Sequence, residues 1–319
     1  MQPDKRPFLS KLPLKLHKSW KLYASLAVLG GSLAGMGWLT TGNAFSESNS
    51  SGQPANVTAA DVLNPTPQLR TYDLMQGTVH VVSVPLQSKV SVAVADELTT
   101  VAELAEQNGA IAAINAGFFD PQNGKTTSHL VSQSQPAGDP SENERLTENP
   151  DLQEYLSRIL SRSEFRTYAC EFADGQLYDI AGHDVPTPRR CTIEHAVGAG
   201  PQLLPDNTAP QEAFTAYEDG EIIRDAIGSV QPNARSAIGI REDGSLLLFM
   251  VAQRYNAAGM TLVDLAEFAK TLEVKRMLNL DGGSSSSLYF NGEIYLGKLN
   301  GDGNPIERPV KSAIIINEQ

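Results

Sequence analysis

The chain has only two cysteines and five histidines in 319 residues, and its 25 lysines and arginines are outnumbered by 37 aspartates and glutamates. Two thiols are too few for a metal centre of their own, and neither His183 nor His195 stands at zinc-ligand spacing from them. The acidic balance, net −12, excludes a nucleic-acid binder, which needs basic charge to replace phosphate counterions. There is no internal repeat. The small-residue passage Ala196-Val197-Gly198-Ala199-Gly200-Pro201 does not fit a dinucleotide fingerprint. No Gly-x-Ser-x-Gly elbow surrounds Ser284 or Ser285, which ranks a serine hydrolase last.

Long apolar runs are also missing, with one exception. Residues 1–21 carry six basic residues against the single acid Asp4, and Leu22 to Leu39 then run without a charge. This pattern is an export signal, read either as a peptide cleaved near Gly42-Asn43-Ala44 or as an uncleaved anchor. No cysteine follows the run, which excludes a lipoprotein anchor. Residues 1–44 are therefore a signal peptide or signal anchor, and the rest is exported: periplasmic, extracellular or membrane-anchored facing outward. The exported part keeps 19 lysines and arginines against 36 acids, a net of −17, so a membrane is met only through the N-terminal segment.

Cys170 and Cys191 both fall in that exported part. A disulfide is the favoured reading, because an oxidising compartment permits it and closing such a loop stabilises by about 3 kcal/mol on the chain-entropy model. Two separately buried thiols are the alternative.

Residues 45–67 are rich in Ser, Asn, Ala, Thr and Pro without an apolar period and read as a flexible linker. Residues 68–319 read as one domain. Two-residue alternation predicts strands at Arg70–Leu74, Thr78–Pro85 and Val90–Ala95. Thr100 and Glu103 form a capping-box pair that opens a helix over Thr99–Gln107. The apolar run Ala110–Ile114 suits the middle of a sheet. Residues 132–149 are polar and read as a surface insertion or lid, with a disordered loop as the alternative, followed by a helix over Asp151–Ser161. Ser236–Ile240 and Leu246–Val251 pair across Asp243-Gly244, Thr261–Leu272 is an amphipathic helix, and a strand then runs to Asp281. A hairpin at Asn291-Gly292 and a strand at Val310–Asn317 complete the pattern. The fold class expected is α+β, a mixed α/β domain with a mixed sheet and flanking helices.

The most informative stretch is Asn279-Leu280-Asp281-Gly282-Gly283-Ser284-Ser285. An apolar run delivers one carboxylate into a turn whose glycines let a ligand approach the backbone and whose serines add hydroxyls. A plain Asp-Gly hairpin turn is the bland alternative.

Asn115-Ala-Gly-Phe-Phe, Ala234-Arg235-Ser-Ala-Ile-Gly239, Asn279-Leu-Asp281-Gly-Gly-Ser and Arg308-Pro-Val occur in that order, and with them the chain resembles the phosphodiester glycosidase domain family. The similarity runs from about Val90 to Asn317. It implies a mixed α/β fold and a hydrolase of sugar phosphodiesters, with a glycan or sugar-phosphodiester partner. Two departures stand out. Gly282-Gly283-Ser284 replaces the family's three glycines, and Ala252-Gln253-Arg254 replaces Asp-Gly-Arg, so that only Arg254 matches.

The residues fit that chemistry. Cleaving a sugar C1–O bond whose leaving group is a phosphate monoester needs positive charge at the phosphate and a carboxylate at the anomeric carbon. Asp281, Asn115 and Arg235 are the candidate catalytic residues. Gly282, Gly283, Ser284, Ser285, Arg254, Arg308 and His129 are the candidate substrate ligands, and Phe118 or Phe119 faces a sugar ring. Each has a structural alternative: Arg235 paired to an acid, the phenylalanines in the core, His129 a satisfied side chain. No cofactor and no catalytic metal are expected; a structural calcium at Asn300-Gly301-Asp302-Gly303-Asn304 is weighed against a simple turn. The rival function is a non-catalytic exported module that binds glycans.

Overall fold

Every residue of Leu246–Ala252 is buried, and its alternation divides the interior in two. Leu246, Leu248 and Met250 enter one apolar cluster, whereas Leu247, Phe249 and Val251 enter another on the opposite face. In the computed structural model, which describes residues 66–318, this run is strand β14. It lies inside a six-stranded sheet ordered β1 (Gln68–Leu74), β2 (Gly77–Val84), β14, β13 (Arg235–Arg241), β15 (Val274–Asn279) and β10 (Gln202–Leu204). A second sheet runs β17 (Glu293–Leu296), β16 (Ser287–Phe290), β4 (Ala112–Asn115), β18 (Val310–Asn317) and β3 (Lys89–Thr99). A third runs β6 (Gln135–Gly138), β5 (Leu130–Ser132), β9 (Cys191–Gly198), β7 (Ser163–Cys170) and β8 (Gln176–Gly182). The hairpin of β11 (Thr215–Glu218) and β12 (Glu221–Asp225) pairs with none of them.

All three sheets meet in one core, to which they send Val82, Ile238 and Leu248, then Ile114 and Ile314, then Phe165 and Val197. Helix α4 (Leu262–Thr271) covers the outer face of the first sheet with Leu262, Leu265, Ala266 and Ala269. Helix α1 (Val101–Gln107) does the same for the second with Val101, Leu104 and Ala105. Both capping boxes form, Thr100 with Glu103 and Thr261 with Asp264, so the helix starts are fixed locally.

The mixed sheet is not found. Every strand pairing among the described residues is antiparallel, and the protein is mainly β, with helices α2 (Glu144–Thr147) and α3 (Leu156–Leu160) only one turn each. The reason lies in two inserted strands. A strand–helix–strand run normally makes parallel neighbours, and β14–α4–β15 and β3–α1–β4 are such runs. Between the two strands of each, however, a third strand slots in antiparallel: β13 in the first case, β18 in the second. The alternation of strand and helix was legible, but not that β13 would pair with β15 as well as with its hairpin partner β14, nor that β18, some two hundred residues on, would enter between β3 and β4.

The expected helix over 151–161 shrinks to α3, preceded by a 3-10 turn at Pro150–Leu152. The 132–149 segment is ordered around Asn143, which is fully buried, donates to Thr126 O and caps α2. Cys170 and Cys191 are directly opposite in the β7–β9 register and form the disulfide, with Cα atoms 4.0 Å apart. The export segment 1–44 and the linker up to residue 65 lie outside the described residues; among those described, no helix is long and apolar enough to cross a membrane.

Candidate active site

Three strand ends converge where the first two sheets meet: the end of β4 at Asn115, the start of β13 at Arg235 and the end of β15 at Asn279. Backbone bonds stitch them, Leu280 N–H to Ser236 O at 2.9 Å and Asp281 N–H to Ala116 O at 2.9 Å. Asn115 locks the junction. It is fully buried; its amide donates to Asp281 O at 2.6 Å, and its Oδ1 accepts from the Ser236 hydroxyl at 2.7 Å and from Ser287 N–H at 3.1 Å. With these bonds its acceptor is spent, so Asn115 holds the site together instead of holding a sugar hydroxyl or the phosphate.

Asp281 emerges from this junction into the turn that the sequence singled out. Burial of its carboxylate pushes the group up to about 6, although the Ser285 hydroxyl, the Gly282 N–H and the nearby Arg308 all favour its charged form. The Gly282 N–H bond measures 2.9 Å. The residue still keeps a partial opening to solvent, as do Gly282, Gly283 and Ser284, so the carboxylate lies enclosed by protein at the floor of an accessible turn. Glycine is favoured at two points here. A Cβ on Gly282 would stand 3.2 Å from Ala234 O, and Gly283 has φ +62°, where side chains are strained.

Arg308 reaches the same turn from the other side. It donates to the Ser284 hydroxyl at 2.7 Å and lies over the Phe119 ring at 5.6 Å. Thus Asp281, Gly282, Gly283, Ser284, Ser285 and Arg308 are brought together. Phe119 lines the cation, whereas Phe118 packs on Phe214 against the main core.

Three expected site residues are not brought to this turn as ligands. Arg235 is only 2% exposed, and four of its N–H donors go to main-chain carbonyls of Met260, Ile227, Gly228 and Gln231. Desolvation lowers it to about 10, and Asp225 opposes that shift. It is a clamp on the 227–231 loop, with no fork left for a phosphate. Arg254 turns to the β1–β2 hairpin, pairing with Asp73 at 3.2 Å and donating to Leu74 O. His129 stacks on His183 with ring centres 3.6 Å apart and makes a 3.0 Å hydrogen bond with Leu160 O. His183 in turn contacts Glu164 at 2.5 Å, which makes this a cluster of the third sheet. The 300–304 loop is a turn: Asn300 Oδ1 accepts from both Asp302 N–H and Asn304 N–H at 2.9 Å, leaving that oxygen committed and the calcium reading without its ligand.

Two residues at the turn escaped the sequence reading. Lys298 donates to Asn233 Oδ1 at 2.8 Å, and Asn233 Nδ2 lies 3.6 Å from the place a Cβ on Gly283 would occupy. A single lysine in a loop and an asparagine two residues ahead of Arg235 carry no motif that would have marked them.

Known proteins resemble this chain in sequence and in fold. The mouse N-acetylglucosamine-1-phosphodiester alpha-N-acetylglucosaminidase is 36% identical over 62 residues, 19% of this chain and only 12% of that protein's length. The catalytic domain of the zebrafish protein of that name superposes with a TM-score of 0.58 at 18% identity, over 79% of this chain and 83% of that one. A putative exported protein of Burkholderia pseudomallei superposes with a TM-score of 0.54 at 14% identity, over 75% and 74%. Both superpositions establish a shared fold. The sequence model of the phosphodiester glycosidase family matches residues 108–317. That span encloses every strand that delivers a residue to Asp281, and the chain belongs to the phosphodiester glycosidase family.

Proposed function

We propose that this protein is an exported hydrolase that cleaves the sugar C1–O bond of a sugar-1-phosphodiester, such as an N-acetylglucosamine α-phosphodiester, on a glycan or cell-envelope polymer. The observation that carries this reading is the pairing, across one glycine turn, of a desolvated carboxyl poised near pH 6 with an arginine that has no carboxylate of its own within 4 Å among the described residues. Asp281 is suited to act on the anomeric carbon or on the attacking water, because a carboxyl near neutrality exchanges protons readily. Arg308 and Ser284 are suited to receive the phosphate. When the C1–O bond breaks, its electron pair goes to the phosphate oxygen and the phosphodiester monoanion becomes a monoester that takes a second charge. Water supplies the hydroxyl to C1 and loses one proton. A leaving group this stable needs little protonation, which fits a site with a single carboxylate.

Export is supported by the Cys170–Cys191 disulfide, which persists in oxidising compartments, and by the exported character given to the Burkholderia relative. The test is release of free N-acetylglucosamine and a phosphomonoester from an α-phosphodiester by the full chain, beside an Asp281→Ala control. Release that vanishes in the control supports the glycosidase. Glycan binding without release supports the binding module instead.

A further inference from the structure

We propose that Lys298, set by Asn233, is a second cationic phosphate ligand of this site, opposite Arg308, and that the pair selects substrates by the charge that the departing phosphate acquires. The proposal rests on the glycosidase reading above and extends it to a residue outside the family motifs.

Both cations are tied to one turn, Arg308 directly and Lys298 through Asn233. On one side, Arg308 donates to the Ser284 hydroxyl at 2.7 Å. On the other, Lys298 donates to Asn233 Oδ1 at 2.8 Å, and the same oxygen accepts the Ala234 N–H at 3.0 Å, so the carboxamide is fixed in orientation. That leaves the Asn233 Nδ2 donor on the Gly283 side, 3.6 Å from where a Cβ on Gly283 would stand. Gly283 is thus the missing side chain between Asn233 and the turn. The backbone next to Lys298 is held at the start of β16 and the end of β14, because Gly297 N–H donates to Ser286 O at 2.8 Å and Gln253 N–H to Gly297 O at 2.8 Å.

Charge makes the arrangement pointed. In a protein with twelve more acids than bases, neither Lys298 nor Arg308 has a carboxylate within 4 Å among the described residues, although both are part-buried. Each is instead held by a neutral oxygen, Asn233 Oδ1 for Lys298 and the Ser284 hydroxyl for Arg308, which leaves its positive charge available to an anion. One guanidinium balances the single charge of a phosphodiester. A second cation is surplus in the ground state and becomes matched only as C1–O cleavage delivers a second charge to the phosphate, and interactions that strengthen at that point raise kcat more than they lower KM. The substrate class that follows is a phosphodiester whose leaving group departs as a dianion; neutral glycosides are excluded.

The test uses the full chain with Lys298→Met and Lys298→Arg, reading inorganic phosphate affinity by calorimetry and the kcat and KM for an N-acetylglucosamine α-phosphodiester. Removing one charge-assisted ligand should weaken phosphate binding about tenfold or more and cut kcat by a similar factor with KM little changed, while Lys298→Arg should recover both to within about threefold. Unchanged phosphate affinity and kcat in Lys298→Met, with a wild type that binds and turns over, overturns the assignment and leaves the glycosidase standing. Loss of kcat that Lys298→Arg and phosphate binding do not follow also overturns it, as a purely structural role. Phosphate binding lost in Lys298→Met by a wild type that releases no sugar keeps the anion site and overturns the glycosidase reading.

Discussion

The side-chain amide of Asn115 donates to the main-chain carbonyl of Asp281 across 2.6 Å, joining the last residue of a strand in one sheet to the second residue beyond a strand in another. The carboxylate is therefore positioned through its own backbone by an asparagine that ligates nothing. Asn115→Ala would leave Asp281 O, the Ser236 hydroxyl and the Ser287 N–H without this partner in a fully buried place. The expected cost is about 2–4 kcal/mol, at about 1–3 kcal/mol for each unsatisfied group and partial relaxation, read as a lower denaturant midpoint.

The acid side of the rate profile should belong to Asp281. In the proposed reaction its ionised form attacks or activates water, so kcat/KM should rise with pH through about 6. Arg308 favours that ionised form, and removing it leaves burial less opposed. Arg308→Met should thus move the acid limb upward; an unmoved limb would detach Asp281 from the rate.

The same carboxyl costs the fold stability at neutral pH. Its folded value of about 6 exceeds the ordinary 3.8, so the folded state holds a proton that the unfolded state has released. The contribution is fully present below about pH 4 and lost as pH rises through 6. Asp281→Asn should therefore be inactive yet more stable at pH 8 by roughly 1–3 kcal/mol, with the gain vanishing near pH 4. Thermal midpoints at the two pH values decide it.

Arg235→Lys separates clamp from ligand. A lysine cannot span four carbonyls, so stability should fall while phosphate affinity stays within about twofold of wild type. Weakened phosphate binding at unchanged stability would restore Arg235 to the site.

Opening the Cys170–Cys191 bond should lower stability by about 2–4 kcal/mol. Cys170→Ser, Cys191→Ser and the double variant should lose equal amounts, because each removes the same cross-link.

Local signals in the sequence were accurate wherever the cause is local. The capping box at Thr100, the amphipathic helix that opens at Thr261, the turn at Asn291-Gly292 and the two-sided burial of β4 each depend on a few adjacent residues. The turn after Asp281 was legible for the same reason, since Gly283 adopts a left-handed φ of +62° and Gly282 sits close to Ala234 O. Sheet direction was not legible, because it turns on which strand takes the free edge of β13 and on β18 inserting from the far end of the chain. Arg235 misled because an arginine beside a site looks the same in sequence whether its fork meets a ligand or main-chain carbonyls. Lys298 was missed because its meaning depends on Asn233, sixty-five positions away.

The insertion of β18 has a consequence in time. Ala116 N–H donates to Ser312 O and Gly117 N–H to the Ser312 hydroxyl, so the strand that follows Arg308 also braces the loop beside Asp281. A growing chain that has placed residues 115 to 298 but not yet 308 to 317 has its carboxylate but neither the arginine nor the brace. Arg308 and the brace on the loop beside Asp281 should thus arrive together, in one step, when that segment docks.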